Sequence, residues 1–335
     1  MVTRDEVARR AGTSTAVVSY VMNNGPRNVS EATRRRVLAA VADLGYRPNA
    51  VARSLRASSS TVLGLVVPDI TNAYCGELAL AVEDAALARG YTLLLGNSMH
   101  DDRRQARHIE TFLSHKVRGI VFIGSTYGDE DFGPETRGAL GLNEVPLVFL
   151  DRSTCEFGKA ISVDNRAGAF DATTHLLEHG YPSVANFAGS PGLSAVRERK
   201  QGWADALEAH GLDPESQQVY ESAFDRHDAF RVATAMFAAA GRPRAIFCHS
   251  DEQSIGILHA AAKASLHVPE DVALVSFDGI KEADLVFPGL TTVAQPIRQS
   301  AAAAVDILLE GEHTEGPRAR KELPLHLVIR HSCGC

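Results

Sequence analysis

Thr3-Arg-Asp-Glu-Val-Ala-Arg-Arg-Ala-Gly-Thr-Ser-Thr-Ala-Val-Val-Ser-Tyr-Val-Met22 decides how the chain begins to fold. Thr3 is a good N-cap and Glu6, three residues on, completes a capping box, so a helix is expected over Arg4–Ala11. Val7, Ala8 and Ala11 form its inward face. Gly12 permits a sharp turn, Ser14 caps a second helix, and Val17, Val18 and Val21 are that helix's apolar stripe. Asn23-Asn24-Gly25-Pro26 ends it. Ser30 caps a third helix through Leu44, with Gly45 at the C′ position. Val37, Leu38, Val41 and Leu44 are expected to close a miniature core. Two short helices joined by a tight glycine turn make a helix-turn-helix unit, whose second helix lies in the major groove of duplex DNA.

The charge agrees. Residues 1–58 carry ten arginines and no lysine against Asp5, Glu6, Glu31 and Asp43, a net +6 that leaves −13 on the rest of a chain totalling −7. A basic module on an acidic body points to a polyanion as the small part's partner. With 335 residues, about two domains are expected. No apolar run approaches about 18 residues and no secretory segment opens the chain, so the expectation is a cytoplasmic, nucleoid-associated protein with no membrane partner.

Next outward lies Arg47–Ser58, a segment of roughly ten residues, below the about 12–15 at which isolated helices hold in water. Pro48 suits a helix start; Ala50, Val51, Ala52 and Leu55 give a small apolar face beside Arg53 and Arg56. A switch that orders on packing and a plain linker helix fit this composition equally.

Beyond Ser60, β-rich runs at Val62–Val67, Thr92–Leu95, Ile120–Ile123, Leu147–Leu150, Val184–Phe187, Ala245–Cys248 and Val272–Phe277 alternate with amphipathic stretches. Such alternation predicts parallel sheets with helices on both faces. The series splits near Val163 into two halves, and a last strand is expected over Leu323–Ile329. Ligands of open parallel sheets bind at the carboxyl ends of the strands. The residues just past the strand ends are small or acidic: Asp69, Asn97-Ser98, Gly124-Ser125, Asp151, Gly189-Ser190, Ser250-Asp251 and Asp278. Such a ring suits a neutral, hydroxyl-rich ligand, because carboxylates accept hydroxyl protons. Strand-end Asp and Ser also cap helices, and for Asp69 and Asp251 either role fits.

No catalytic, cofactor or metal site is expected. There is no P-loop, G-x-S-x-G or G-x-G-x-x-G. His175-Leu-Leu-Glu-His179 spells the H-x-x-E-H of some zinc peptidases, but no neighbour in sequence supplies a third ligand, and it reads as the end of an amphipathic helix. Cys75, Cys155, Cys248, Cys333 and Cys335 include no C-x-x-C pair, which fits a reducing compartment. Cys333-Gly-Cys335 could bind a metal, but without a matching ligand set in the sequence it reads as a frayed tail.

The ordered series Val2–Gly12, Val18-Ser19, Asn23-Asn24, Val29-Ser30, Thr33-Arg34, Leu44-Gly45-Tyr46 and Arg47-Pro48-Asn49 resembles the lactose/purine-repressor (LacI-type) family of transcriptional regulators, and the match continues through the large domain. The resemblance implies a helix-turn-helix domain over residues 1–46, a hinge helix over 47–59, and an α/β periplasmic-binding-protein-like domain over 60–335. Its first lobe would hold about 60–163 plus 291–320, its second about 164–290 plus 321–335. It also implies a homodimer on a pseudo-palindromic double-stranded operator, controlled by a small molecule, a sugar on family frequency; a nucleobase or sugar-phosphate corepressor and a sugar carrier without DNA are the alternatives. No leucine heptad for a tetramer comes after the last strand.

By that resemblance Thr15, Ala16 and Tyr20 read bases, while Thr3, Ser14, Ser19 and Asn23 meet phosphates. Asn49, Arg53 and Leu55 serve the hinge, Leu55 as a minor-groove wedge. Val17 departs from the family's threonine, and Tyr20 from its arginine or histidine. In the cleft the resemblance assigns Arg199 of an Arg-x-x-Gly-aromatic motif, Asp278 of Ser276-Phe-Asp-Gly279, Asp151, the stacking Phe224 and the facing Tyr74 to the effector. Ser250 stands for a usual asparagine beside Asp251, and Gly279 for a frequent second aspartate.

Overall fold

The computed structural model describes residues 2–22, 28–46, 60–124, 132–141, 145–151, 158–310 and 320–335. The chain forms two compact units, Met1–Ser60 and Thr61–Cys335.

The first unit holds α1 (Arg4–Ala11), α2 (Thr15–Met22) and α3 (Glu31–Leu44). The Thr3 amide donates to Glu6 Oε2 at 2.7 Å and the Glu6 amide to Thr3 Oγ1 at 3.4 Å, so the capping box forms. Gly12 (φ 61°) and Gly45 (φ 62°) both take the left-handed conformation that ends a helix and that side chains resist. Val7, Ala8, Ala11, Val18, Val21, Val37 and Ala40 are its buried core. Leu38, expected there, is instead 46% exposed. One residue turns a helix by about 100°, so a core face built on Val37, Ala40, Val41 and Leu44 leaves Leu38 on its flank.

The second unit is doubly wound. One six-stranded sheet has the order β11-β5-β4-β3-β1-β2, the other β12-β10-β9-β8-β6-β7. The strands of the first are β1 (Val62–Val67), β2 (Thr92–Asn97), β3 (Ile120–Ile123), β4 (Leu147–Leu150), β5 (Lys159–Val163) and β11 (Arg320–Leu323). Those of the second are β6 (Ala185–Ala188), β7 (Val219–Glu221), β8 (Ala245–Cys248), β9 (Ala273–Asp278), β10 (Thr291–Ala294) and β12 (His326–Val328). Pairing is parallel except between β10 and β12. Parallel strands covered on both faces are near-continuously apolar, as the fully buried runs of β3, β4 and β8 are. On the second sheet, α7 (Asn165–Glu178) and α8 (Ser194–Ala209) bury Ala169, Leu176, Trp203 and Leu207 against Phe247, Val275 and Phe277. The opposite face takes α9 (Arg226–Ala238) and α10 (Asp251–Lys263). The first sheet is flanked by α4 (Ala73–Ala88) and α12 (Ile297–Glu310) on one side and by α5 (Asp102–Ser114) and α6 (Pro134–Leu140) on the other, with the short α11 (Glu282–Leu285) at the second lobe's rim.

The lobe limits differ from those expected. Thr291–Ala294 pairs with β9 in the second sheet, so the chain returns to the first lobe at Gln295-Pro296. Arg320–Leu323 pairs with β5 in the first sheet. The single last strand expected over Leu323–Ile329 is two strands in different sheets, divided at Pro324, whose missing N–H suits a break in a ladder.

Candidate functional site

In the first unit, α2 presents Thr15 and Ala16 fully outward, with Ser19 and Tyr20 half-buried beside them. Ser14 Oγ accepts from the Val17 amide at 3.3 Å and so caps the helix, while Thr3 belongs to the capping box. Arg9, Arg10, Arg35 and Arg36 are exposed, Arg10 paired with Asp43 at 3.1 Å. A short helix with a small polar tip among cations is what a groove reader requires. Asn23, Asn49, Arg53 and Leu55 lie outside the described residues.

In the second unit the carboxyl ends of both sheets meet in a cleft spanned by a continuous polar chain. Tyr74 Oη lies 2.8 Å from Asp151 Oδ1 and 3.0 Å from Gln295 Oε1, within donating distance of both. Gln295 Nε2 donates to Asp278 Oδ1 at 2.9 Å, and Arg199 Nη1 stands 3.5 Å from that same oxygen. Arg199 also donates from Nε to Asn165 Oδ1 at 2.9 Å and from Nη1 to the His249 carbonyl, with its guanidinium 3.7 Å above the Phe277 ring. Arg199 and Asp278 are each only 5% exposed. Five segments thus converge: the first turn of α4, the end of β4, the middle of α8, the end of β9 and the crossing at Gln295.

The backbone is special at the two strand-end carboxylates. Asp151 has φ 66° and Asp278 φ 118°, in a region L-residues avoid and which tends to occur at functional sites. Burial pushes the Asp278 carboxyl up to about 8, opposed by Arg199 and reinforced by Asp251. Burial also raises Asp151, against the Tyr74 hydrogen bond and Arg199, and holds the Tyr74 hydroxyl well above the usual phenol range. The cleft therefore keeps acceptors poised beside one guanidinium, a set that recognises hydroxyl groups.

Further contacts tie the lobes together across the opening. Asn72 Nδ2 donates to the Phe224 carbonyl at 3.1 Å, the Ala73 amide to Glu252 Oε1 at 3.1 Å, and the Lys281 amide to Glu77 Oε1 at 2.8 Å. The Phe224 ring packs on Ala188, Leu193 and Val196 at the cleft wall.

Two expected effector contacts have other work. Ser250 is buried and caps α10, its Oγ accepting from the Gln253 amide at 3.2 Å. Asp251 is fully buried: Oδ2 accepts from the Gly279 and Ile280 amides at 2.7 and 2.9 Å, and Oδ1 from Thr292 Oγ1 at 2.8 Å. With its oxygens so engaged, it holds the turn after Asp278 instead of a ligand. Gly279 has φ 76°, and an added Cβ would lie 2.6 Å from the Ala294 Cα, so the residue after Asp278 has no room for a second carboxylate. Conversely, Gln295, Asn165 and Phe277 complete the site without having been expected. Gln295 sits at a crossing between lobes, and Asn165 directly succeeds the strand-end Asp164, the two positional signals that could have found them.

A helix-turn-helix unit joined to a two-lobed small-molecule receptor defines a ligand-responsive DNA-binding regulator. Residues 3–49 match the model of bacterial regulatory proteins of the lacI family, and residues 173–333 the periplasmic binding protein-like domain. The chain is 34% identical over 308 residues to catabolite control protein A of Staphylococcus xylosus, covering 92% of this chain and 91% of that protein. It is 33% identical over 333 residues to the ribose operon repressor of Halalkalibacterium halodurans, covering 99% and 97%. Its fold superposes on the crystal structure of the lac repressor dimer bound to operator and the anti-inducer ONPF with a TM-score of 0.86, at 25% identity and 99% coverage of both chains. The chain belongs to the LacI family of bacterial regulatory proteins. Among the described residues no helix is long and apolar enough to cross a membrane.

Proposed function

We propose that this regulator represses transcription as a homodimer on a pseudo-palindromic operator and is released by a neutral sugar in its inter-lobe cleft. The observation that carries the reading is the buried chain Arg199–Asp278–Gln295–Tyr74–Asp151, which links the two lobes where parallel sheets bind ligands. A hydroxylated ligand exchanges its own hydrogen bonds for these and so selects one lobe angle; typical couplings of about 1–3 kcal/mol change operator affinity roughly 5–150-fold. Thr15, Ala16 and Tyr20 read bases, Thr3, Ser14, Ser19 and Asn23 position the helix on phosphates, and Asn49, Arg53 and Leu55 act in the hinge.

Charge supports a neutral effector over a sugar phosphate. Arg199 is already engaged by Asp278, Asn165 and the His249 carbonyl, so a phosphate would have to displace those partners to gain its charge, whereas hydroxyl groups can use the acceptors as they stand. The name of the ribose operon repressor among the relatives agrees with a sugar. The dimer is supported by exposed apolar side chains on the second lobe, where Leu285, Phe287 and Ile329 are 81%, 97% and 54% exposed, far more than isolated surface residues require. A second copy is the proposed cover.

Operator titrations with and without a panel of neutral sugars test this reading. Arg199→Leu is expected to keep operator affinity and lose the response to the responsive sugar. A normal response in that variant, or a response confined to phosphorylated sugars or nucleobases, would remove the proposal.

A further inference from the structure

We propose that the second lobe carries a zinc site formed by His175, His179, Cys333 and Cys335. The tail is not frayed: Cys333 is fully buried, and the chain around it is anchored. The Ser332 carbonyl accepts from the Leu274 amide at 2.7 Å, Ser332 Oγ donates to the Leu274 carbonyl at 2.6 Å and accepts from the Thr291 amide at 2.9 Å. Gly334 turns with φ 99°, where a Cβ would approach Tyr181 Oη at 3.1 Å. That turn brings both cysteines back to the C-terminal end of α7.

There the third and fourth donors, which the sequence neighbourhood of H-x-x-E-H lacks, are supplied from more than 150 positions away. His175 and His179 stand one helical turn apart with ring centroids separated by 4.4 Å. Cys335 Sγ lies 3.5 Å from His175 Nε2, 3.0 Å from His179 Nε2 and 3.1 Å from Cys333 Sγ. The ligand atoms of His175, Cys333 and Cys335 all fall within 4.8 Å of one another. A tetrahedral zinc ion, with bonds of about 2.3 Å to sulfur and 2.0–2.1 Å to nitrogen, sets S–N separations near about 3.5 Å and S–S near about 3.8 Å. Cys335 matches the first at His175, while its contacts to His179 and Cys333 are about 0.5 and 0.7 Å short. The exposed Cys335 and His179 side chains have room to adjust around the buried Cys333, and His179, which the group within 4.8 Å does not include, has to swing in as the fourth ligand.

The surroundings also suit a metal. His179 Nδ1 faces the His175 carbonyl at 2.7 Å and so carries the ring proton, which leaves the Nε2 lone pair directed at Cys335. Thr291 Oγ1 lies 3.1 Å from Cys333 Sγ, where its hydroxyl can donate to a thiolate. Two imidazoles and two sulfurs favour zinc over magnesium or calcium, which take oxygen. On binding, the two thiols release their protons to solvent and two S–Zn and two N–Zn bonds form. With four protein ligands no position stays open for substrate, so the site is a structural clamp and not a peptidase centre. It fastens the tail to α7, the helix whose first residue, Asn165, holds Arg199 in the cleft.

The test uses the full chain, reduced and without a histidine tag, titrated with Co(II) alone and then with Zn(II). One cobalt per chain is expected, with thiolate charge-transfer and intense tetrahedral d–d bands, displaced by one equivalent of zinc, and zinc should raise Tm. Cys335→Ser and His179→Gln alter exposed ligands; both should keep the metal-free Tm and lose the cobalt bands and the zinc-induced rise. Absence of the bands with all thiols reduced, or bands unchanged in both variants, overturns the proposal.

Discussion

Asp278→Asn replaces a buried carboxyl by an amide of the same shape and leaves Arg199 and Gln295 in place. In the folded chain the carboxyl keeps its proton up to about 8, against an ordinary value of 3.8. Between those limits the folded state binds more protons than the unfolded one, so this group's contribution to stability falls as pH rises and levels off above about 8. Each unit is worth about 1.4 kcal/mol, which over roughly pH 5 to 8 bounds the loss at about 4 kcal/mol. The amide has no such dependence. At about 2–4 °C per kcal/mol for a domain of this size, the variant's Tm should gain up to about 8–16 °C on the parent between the two pH values, the parent holding its own at the acidic end. Asp151 and Asp251, also raised by burial, titrate in both chains, and loss of the Asp278 charge eases their ionisation in the variant, a change of the same sign. Thermal unfolding of both ligand-free proteins across that range measures it. A Tm difference that does not change with pH would mean that Asp278 is ionised throughout, and that Arg199 outweighs burial.

Tyr74→Phe removes the hydroxyl shared by Asp151 and Gln295; leaving buried acceptors without it should cost about 1–3 kcal/mol, read as a lower Tm with unchanged operator affinity. Asp251→Ala frees the Gly279 and Ile280 amides and should likewise cost a few kcal/mol while also weakening the effector response, because the turn that sets Asp278 loosens. Thr3→Ala breaks the capping box and should cost about 1 kcal/mol, seen as faster amide exchange confined to α1.

Much of this was legible in sequence for local reasons. Thr3 with Glu6, Gly12 and Gly45 mark helix ends through contacts within a few residues, and all three act as expected. The doubly wound class came from apolar runs that alternate with amphipathic ones. What failed depends on partners distant along the chain. Ser250 and Asp251 carry the right chemistry after the right strand, but helix capping and the Gly279–Ile280 turn claim them. Gln295 sits in no motif and matters because a crossing places it between Tyr74 and Asp278. Leu323–Ile329 looks like one strand by composition; only pairing reveals that its two ends belong to different sheets.

That division at Pro324 has a mechanical consequence. With passages at Asp164, Gln295-Pro296 and Pro324-Leu325, the backbone joins the lobes three times. A single tether would allow twist and slide in any direction, whereas three side by side confine the lobes to swinging about one axis. A ligand bound on either wall then has one route by which to move the other, and stiffening any of the three joints should blunt the response of a cleft whose own residues are untouched.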